Sequence, residues 1–396
     1  MAQSIPDVAT VVKDAKATFQ KEFNQEANVV VFAPGRVNLI GEHIDYNDGF
    51  VMPMALPLVT VIVGTKIPGE TSTVLTTNPD ADPPRKTTIE MPNQNALVKT
   101  ITPGPPKWSN YVKGVISNYH GGTPPAFNAV IHSTVPTGGG LSSSAAIEVA
   151  TYTFLDALVG PNPIMPTDKA LACQKAEHDY ANVPCGIMDQ FIAVMGKKDN
   201  ALLIDCRNMT STLLPMKDNN IVILVTNSNV KHELTGSEYS SRRTQCQQAA
   251  LLLKKLSLRD ATLEDIEYLK SINTAEDIVK RARHAVTEIK RTLDASEALK
   301  AGNYKKFGQL MVESHNSLRD DFEVSCPELD QLVELAMQVE GVLGSRMTGG
   351  GFGGCTVTMV KSASVDKVID HVKKHYKGTP TFYISKPSEG AQVLSK

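Results

Sequence analysis

Apolar residues come in short unbroken runs early in the chain and at helical spacing later. The run VVVF (29–32) leads through Pro34 and Gly35 into a charged stretch, and a second apolar run extends from Phe50 to Val63. Runs of this kind, bounded by Pro and Gly, predict buried strands. Residues 29–136 are expected to be strand-rich, with 71–106, dense in Thr, Pro and Asn, forming strands joined by exposed loops. Residues 137–196 are expected to be mostly helical, since Ala146, Ile147, Ala150, Phe154 and Leu158 recur at helical spacing. From Ile221 a strand-like run, IVILVTNS, precedes long helical patterns that include 237–256 and 275–301. The tail predicts a helix near 327–340, a Gly-rich loop, the strand CTVTMV (355–360), a helix at 365–376 and the strand TFYIS (381–385). Segregated strands and helices predict an α+β protein of two lobes divided near 207–220, with domains at 1–215 and 216–396.

Three stretches carry chemistry. The first, GRVNLIGEHIDYNDG (35–49), gathers Arg36, Glu42, His43, Asp45 and Asp48 where the apolar residues follow neither a strand nor a helix period. Such clusters are usually solvated turns, but a polar loop held between two buried strands is also where a rigid scaffold displays binding groups. The second, PTGGGLSSSAAIEV (136–149), reads as strand, glycine loop and helix. Glycines there let backbone N–H groups approach a ligand, the helix N-terminus attracts phosphate, and Ser142, Ser143 and Ser144 add hydroxyls. The alternative is an ordinary glycine turn with a serine cap. A Walker-type loop is excluded, since GxxxxGK followed by Ser or Thr occurs nowhere. The third, MTGGGFGG (347–354), formally contains GxGxxG, but the reading places a helical segment before it and a strand after it, the wrong context for a dinucleotide fingerprint. It is either close packing between lobes or a backbone wall beside a substrate or phosphate.

Composition narrows the partner. A chain of 396 residues is long for one core and can bury roughly three quarters of its unfolded surface. Forty basic against forty-two acidic residues, with no long basic run, suggests neither nucleic acid nor an anionic membrane as partner, and so a small molecule. The N-terminal residues lack a basic segment followed by an apolar one, and the run at 50–64 is too short for a bilayer and holds Pro53 and Pro57. A soluble cytoplasmic protein is expected. Six cysteines without CxxC or zinc spacing read as buried thiols.

The three stretches, in this order and at these separations, resemble the GHMP family of small-molecule kinases, and the first is similar to the galactokinase signature. The resemblance covers nearly the whole chain and extends to WSNYVKG (108–114), AEHDYANVPCGIMDQF (177–191), LLIDCR (202–207), SEYSSRR (237–243), RARH (281–284) and SCPELDQLVE (325–334). It implies a two-lobed GHMP kinase fold: a strand-rich N-terminal lobe with the phosphate loop and helix, and a C-terminal lobe with ferredoxin-like βαβ elements. It further implies transfer of the γ-phosphoryl group of MgATP to the anomeric hydroxyl of galactose, by a monomer.

The resemblance also implies roles. Galactose would meet Arg36, Glu42, His43, Asp45, Gly186, Asp189 and Tyr239, with Glu42 and Asp45 accepting from hydroxyls, His43 serving either way, and Asp45 reading the 3- and 4-hydroxyls. Asp189 and Arg36 would be the catalytic pair. On residues alone, Asp189 near a helix start reads first as a dipole-stabilised first-turn acid, and the resemblance reverses that reading. Gly138, Gly140, Ser142, Ser143 and Trp108 would border ATP, and Ser144 and Glu177 would hold Mg²⁺. Ile44 stands where many galactokinases have Thr and where N-acetylgalactosamine kinases of the family have Ile, which keeps that sugar as the alternative substrate. A non-catalytic sugar sensor would show damage to the loop or the pair; GGGLSSSAA is uninterrupted, and Arg36 and Asp189 are in place.

Overall fold

The structure is a computed structural model describing residues 1–92, 101–160, 163–231 and 235–396. The first apolar run continues further than its proline suggested: β1 spans Val29–Asn38 with every residue buried, so Arg36 sits on a strand and not in a loop. Strand alternation sends Val30 and Phe32 to one face and Val29, Val31 and Ala33 to the other. The first face is covered by α1 (Val8–Phe23), whose Val11, Ala15 and Phe19 fall one turn apart. Burial on both faces explains the unbroken apolar run. Along the chain follow β2 (Phe50–Val51), β3 (Pro53–Lys66), β4 (Thr71–Thr76), β5 (Lys86–Glu90) and β6 (Phe127–Ser133). The second face takes α2 (Ser109–Ser117), α3 (Ser143–Val159), α4 (Pro166–Ala176) and the near end of α5 (Met188–Met195). A small antiparallel sheet joins β2 to β7 (Asn200–Asp205) and β8 (Thr210–Pro215).

The second half opens with β9 (Ile221–Lys231) and a helical layer: α6 (Thr235–Leu252), α7 (Leu263–Ser271), α8 (Glu276–Lys300) and α9 (Tyr304–Asp320). Then come α10 (Pro327–Met337), β10 (Val342–Thr348), β11 (Gly353–Lys361), α11 (Val365–His375), β12 (Thr381–Ser385) and β13 (Gln392–Ser395). The strand order β12-β9-β11-β10, with α10 and α11 packed on one face, is the expected ferredoxin-like βαββαβ arrangement. The other face, through Ile223, Val225 and Val357, shares a cluster with Val37, Leu39 and Met54, so the halves close on a common core.

Some expectations need correction. The third glycine run follows a strand, not a helix, and turns β10 into antiparallel β11. β10 escapes the sequence because Gly344, Ser345 and Arg346 interrupt its apolar pattern. Gly344 is needed: a Cβ there would lie 2.3 Å from the Gly308 carbonyl of α9. α1, α9 and β13 were not anticipated. β13 pairs with β1 and brings the chain end back to the six-stranded sheet, order β13-β1-β3-β6-β4-β5. We propose residues 216–220, between β8 and β9, as the domain boundary, crossed back by this strand and the segment that leads into it, and in the other direction by the N-terminal residues, where the Gln3 amide donates to the Phe382 carbonyl at 2.8 Å. Among the described residues no helix is long and apolar enough to cross a membrane. All six cysteines are unpaired; five are buried and Cys185 is half-buried.

Candidate active site

Arg36 reaches the centre because β1 shifts register between Pro34 and Arg36, where Gly35 lies against the loop before α3. A Cβ at Gly35 would come within 2.7 Å of the Leu141 carbonyl, the same group that accepts from the Arg36 amide at 3.1 Å. The buried guanidinium grips Asp189 as a fork: Nε donates to Oδ1 at 2.7 Å and Nη2 to Oδ2 at 2.8 Å. Nη1 donates to the Gly140 carbonyl at 2.7 Å. Asp189 stands in the first turn of α5, where the helix dipole favours a carboxylate. Ser142, a left-handed cap residue with φ 61°, donates its hydroxyl to Oδ2 at 2.5 Å. Oδ2 therefore carries two bonds and Oδ1 one, which leaves acceptor capacity on Oδ1.

The charged stretch is no solvated turn. Glu42 and His43 are buried, and Asp45 and Asp48 half-buried. Glu42 Oε1 accepts from the Gly349 amide at 2.8 Å with the Thr348 hydroxyl at 3.0 Å, and Oε2 accepts from Asn38 Nδ2 at 3.1 Å. It ties the loop to the third glycine run instead of standing free for a ligand. His43 has both ring nitrogens engaged, Nδ1 with the Tyr46 hydroxyl at 2.8 Å and Nε2 with the Gly350 carbonyl at 3.1 Å. Burial drives its pKa down to about 3, so the ring is neutral; Nε2–H donates to the carbonyl and Nδ1 accepts from Tyr46. Both ring nitrogens are thus engaged within the protein, while the ring itself borders the cavity described below. Asp45, half-buried at the cavity wall, accepts from the Tyr46 amide on Oδ1 at 3.1 Å. Burial, reinforced by Asp189 and Glu42, raises its pKa to about 6. Gly186 is dictated by Asp45, since a Cβ would overlap its Oδ2 at 1.8 Å. Tyr239 packs its ring against His43 and Tyr46, with centroids 5.4 Å and 5.6 Å apart, and receives a hydrogen bond from the Gly186 backbone.

These groups line one small cavity of about 150 Å³: Arg36, Glu42, His43, Asp45, Gly186, Asp189 and Tyr239 all border it, as do Gly349 and Gly350. Ile44 does not, being fully buried in the core against Gly49 and Ile289. A second cavity of about 590 Å³ lies beside it, between the six-stranded sheet and the N-terminus of α3. Trp108, Ser143 and Ser144 line it; Gly138, Gly140 and Ser142 do not, the last two being turned to Arg36 and Asp189. Trp108 Nε1 donates to the Pro84 carbonyl at 3.1 Å, which fixes the ring. Tyr111, Tyr180 and Asn182 also line this cavity and were not singled out from sequence.

Ser144 borders the large cavity and Glu177 the small one, close enough for the hydroxyl to favour the ionised form of the carboxyl. Burial lifts the Glu177 pKa to about 7. Gln190 Nε2 bonds Glu177 at 2.7 Å and the buried Glu148 at 3.0 Å. Among the described residues, no three His, Cys, Asp or Glu side chains form a protein-only metal cage. A hydroxyl with one carboxyl at the cavity junction still suits Mg²⁺, which keeps waters and phosphate oxygens in its shell. Sequence reasoning missed the residues that brace Glu42. A lone arginine in the run VLGSRMT was the available signal: Arg346 is completely buried and donates to the Asn38 carbonyl at 2.9 Å.

Comparison with known proteins fits this geometry. The galactokinase galactose-binding signature matches residues 17–66, the GHMP kinase N-terminal domain 110–197 and the GHMP kinase C-terminal domain 295–378. Human galactokinase is 52% identical over 389 residues, 98% of each chain. Galactokinase of Haemophilus influenzae is 40% identical over 97% of this chain and 100% of its own. The solved structure of Lactococcus lactis galactokinase complexed with galactose superposes with a TM-score of 0.88 at 32% identity, covering 97% of this chain and 100% of that one. A mevalonate kinase from Methanococcus jannaschii, 19% identical over 92% of this chain and 99% of its own, shares the fold at a TM-score of 0.65. With the signature over the charged loop and relatives this similar along nearly all its length, the chain belongs to the galactokinase family of GHMP kinases.

Proposed function

We propose that the small cavity takes galactose, the large one takes ATP, and the Arg36–Asp189 fork between them governs phosphoryl transfer to the anomeric hydroxyl. The carrying observation is the fork itself, a buried arginine and a half-buried aspartate on the wall of an acid-lined cavity beside a nucleotide-sized one. Asp189 Oδ1 accepts the hydrogen bond of the anomeric hydroxyl and orients its oxygen toward the γ-phosphorus. The proton passes to Asp189 as the new P–O bond forms and the bond to ADP breaks. Arg36 has donors beyond the three it spends on Asp189 and Gly140, and these meet the charge on the moving phosphoryl group.

Asp45 reads the 3- and 4-hydroxyls, assisted by the Gly186 backbone and Tyr239, while Glu42 and His43 hold the loop in shape. Ile44 lies outside the cavity, which removes the residue that favoured N-acetylgalactosamine. Bound Mg²⁺ supplies charge neutralisation on the β- and γ-phosphates. Ser144 and Glu177 would hold it, and Mn²⁺ titrated with a non-hydrolysable ATP analogue should bind more weakly to Glu177→Gln. Ser143 and Trp108 border the nucleotide. Both cavities are lined by one chain, so a monomer suffices, and unpaired thiols suit the reducing cytoplasm.

Coupled detection of ADP across a sugar panel tests the reading. Galactose should turn over best and glucose poorly, because its 4-hydroxyl leaves an acceptor of Asp45 unpaired at a cost of about 1–3 kcal/mol. A higher kcat/KM for N-acetylgalactosamine would overturn the substrate, and equal turnover of glucose would overturn the clamp.

A further inference from the structure

The loop between β1 and β2 takes left-handed turns at Gly41, with φ 101°, and at His43, with φ 60°. Glycine adopts such a backbone freely, whereas a residue with a side chain adopts it at a cost and keeps it only where its surroundings dictate it. The φ of His43 is the rotation that follows the Glu42–His43 peptide, so whatever fixes that peptide fixes the turn. Its oxygen is held from the second half of the chain. His284 of α8, completely buried, has Nε2 3.1 Å from the Glu42 carbonyl.

A carbonyl only accepts, so Nε2 carries the proton and donates. Burial pulls the pKa of His284 down to about 4 and keeps the ring neutral, and Nδ1 accepts from the Ser317 hydroxyl of α9 at 2.9 Å. Phe322, fully buried, packs on both histidines, its ring centroid 4.5 Å from that of His284 and 4.9 Å from that of His43. The imidazole is thereby fixed at both nitrogens and against a ring.

Neighbouring groups grip the same turn. Glu288, about one turn further along α8, accepts the Gly41 amide on Oε1 at 3.0 Å, and is itself held by the Ser314 hydroxyl on Oε1 at 2.5 Å and by Arg291 Nε on Oε2 at 2.8 Å. Beyond His43, Asn47 Nδ2 donates to the His43 carbonyl at 3.0 Å. The peptides before and after His43 are therefore both pinned, but Asn47 belongs to the loop and moves with it, while His284 reaches in from a core helix. His43 and Asp45 border the small cavity and His284 does not.

We infer that His284, given the sugar site proposed above, is a positioning residue for sugar recognition: its N–H locks the Glu42–His43 peptide in the left-handed turn that brings His43 and Asp45 to the cavity wall. Without that donor the peptide turns over, His43 relaxes to a negative φ, and Asp45, two residues on, loses its place. Arg36 and Asp189, on β1 and α5, keep their fork. Sugar affinity falls while the chemistry on bound sugar persists.

The test compares His284→Leu, which deletes the donor, with His284→Gln, whose amide nitrogen can take the place of Nε2. The Leu variant should raise the Kd for galactose by about tenfold or more, the equivalent of one buried hydrogen bond, with the Kd for ATP unmoved and kcat at saturating galactose within about threefold of the parent. The Gln variant should stay within about threefold of the parent in all three. A crystal structure of the Leu variant should show His43 at negative φ. Val279→Ala, a cavity elsewhere on α8, should lower Tm without moving the galactose Kd. A parent-like galactose Kd in the Leu variant, a Gln variant as impaired as the Leu one, or an equal rise in Val279→Ala would each overturn the inference. If the Leu variant does not fold, Ser317→Ala decides: loosening the ring from behind should raise the galactose Kd severalfold, and a parent-like value would contradict. If the parent binds no galactose, the substrate reading fails, and the φ of His43 in the Leu variant still decides whether His284 holds the turn.

Discussion

The two site cavities are built on opposite plans. The small one is walled by charge, and nearly every polar atom in it is already committed: Glu42 to Gly349, Thr348 and Asn38, His43 to Tyr46 and Gly350, Arg36 to Asp189 and Gly140. The large one is lined mainly by Thr, Ser and Asn, by Ile131 and Ile147, and by the rings of Trp108, Tyr111 and Tyr180, with Asp80, Asp82 and Lys107 as its charged residues. A preorganised charged cavity discriminates between hydroxyl patterns, because a misplaced group leaves a buried partner unmatched. A roomy cavity walled mostly by uncharged side chains and rings binds by shape and stacking and discriminates less. Specificity should therefore concentrate in the small cavity, and changes in the large one should cost affinity without altering sugar choice.

The largest break should come at the junction. Asp189→Asn keeps the shape and removes the acceptor charge, and should lower kcat by about 10²–10⁴ while circular dichroism and Tm remain close to the parent. Near-normal kcat would remove Asp189 from the chemistry.

Next is Asp45, where loss of sugar recognition and gain of stability should coincide. Asp45→Asn should raise the KM for galactose by about one to three orders of magnitude and change that for ATP little. Its folded pKa, about 6, lies above the unfolded value, so the native state binds the proton more tightly and ionisation costs stability as pH rises toward 6. The asparagine variant should hence melt roughly 1–3 °C higher at pH 8 and match the parent near pH 4. In the parent, the KM for galactose should climb as pH falls below 6, when Asp45 takes its proton.

Ser144→Ala should have the smallest effect, a several-fold loss in productive MgATP use, with galactose affinity by calorimetry unchanged within error. Loss of galactose binding without nucleotide would assign Ser144 to the wrong cavity and erase the contrast between the two.

What the sequence disclosed of this contrast follows a physical line. Arg36, Glu42 and Asp45 stood out because charge inside an apolar setting is costly and needs a reason, and Ser143 and Ser144 because glycines preceded a helix. Of the ferredoxin-like unit, α10, β11, α11 and β12 were legible from their apolar patterns, while their arrangement followed from the family resemblance. The bracing of Glu42 was not, since Asn38 and Thr348 stand 310 residues apart and only folding makes them neighbours. Nor was β10, whose Gly344 and Arg346 serve tertiary contacts at the expense of strand pattern. β13 depends on a partner at the other end of the chain, and the engagement of both His43 nitrogens depends on a left-handed backbone, φ 60°, that nothing in GEHID announces.

The central claim is that Arg36 and Asp189 act as one unit joining the two cavities. Its most direct test is kcat/KM for galactose in Arg36→Lys, Asp189→Asn and the double variant. Since the fork exists to hold one carboxylate against one phosphoryl path, the double variant should be little worse than the worse single one. Losses that multiply would mean that the two residues act independently, and would contradict the account.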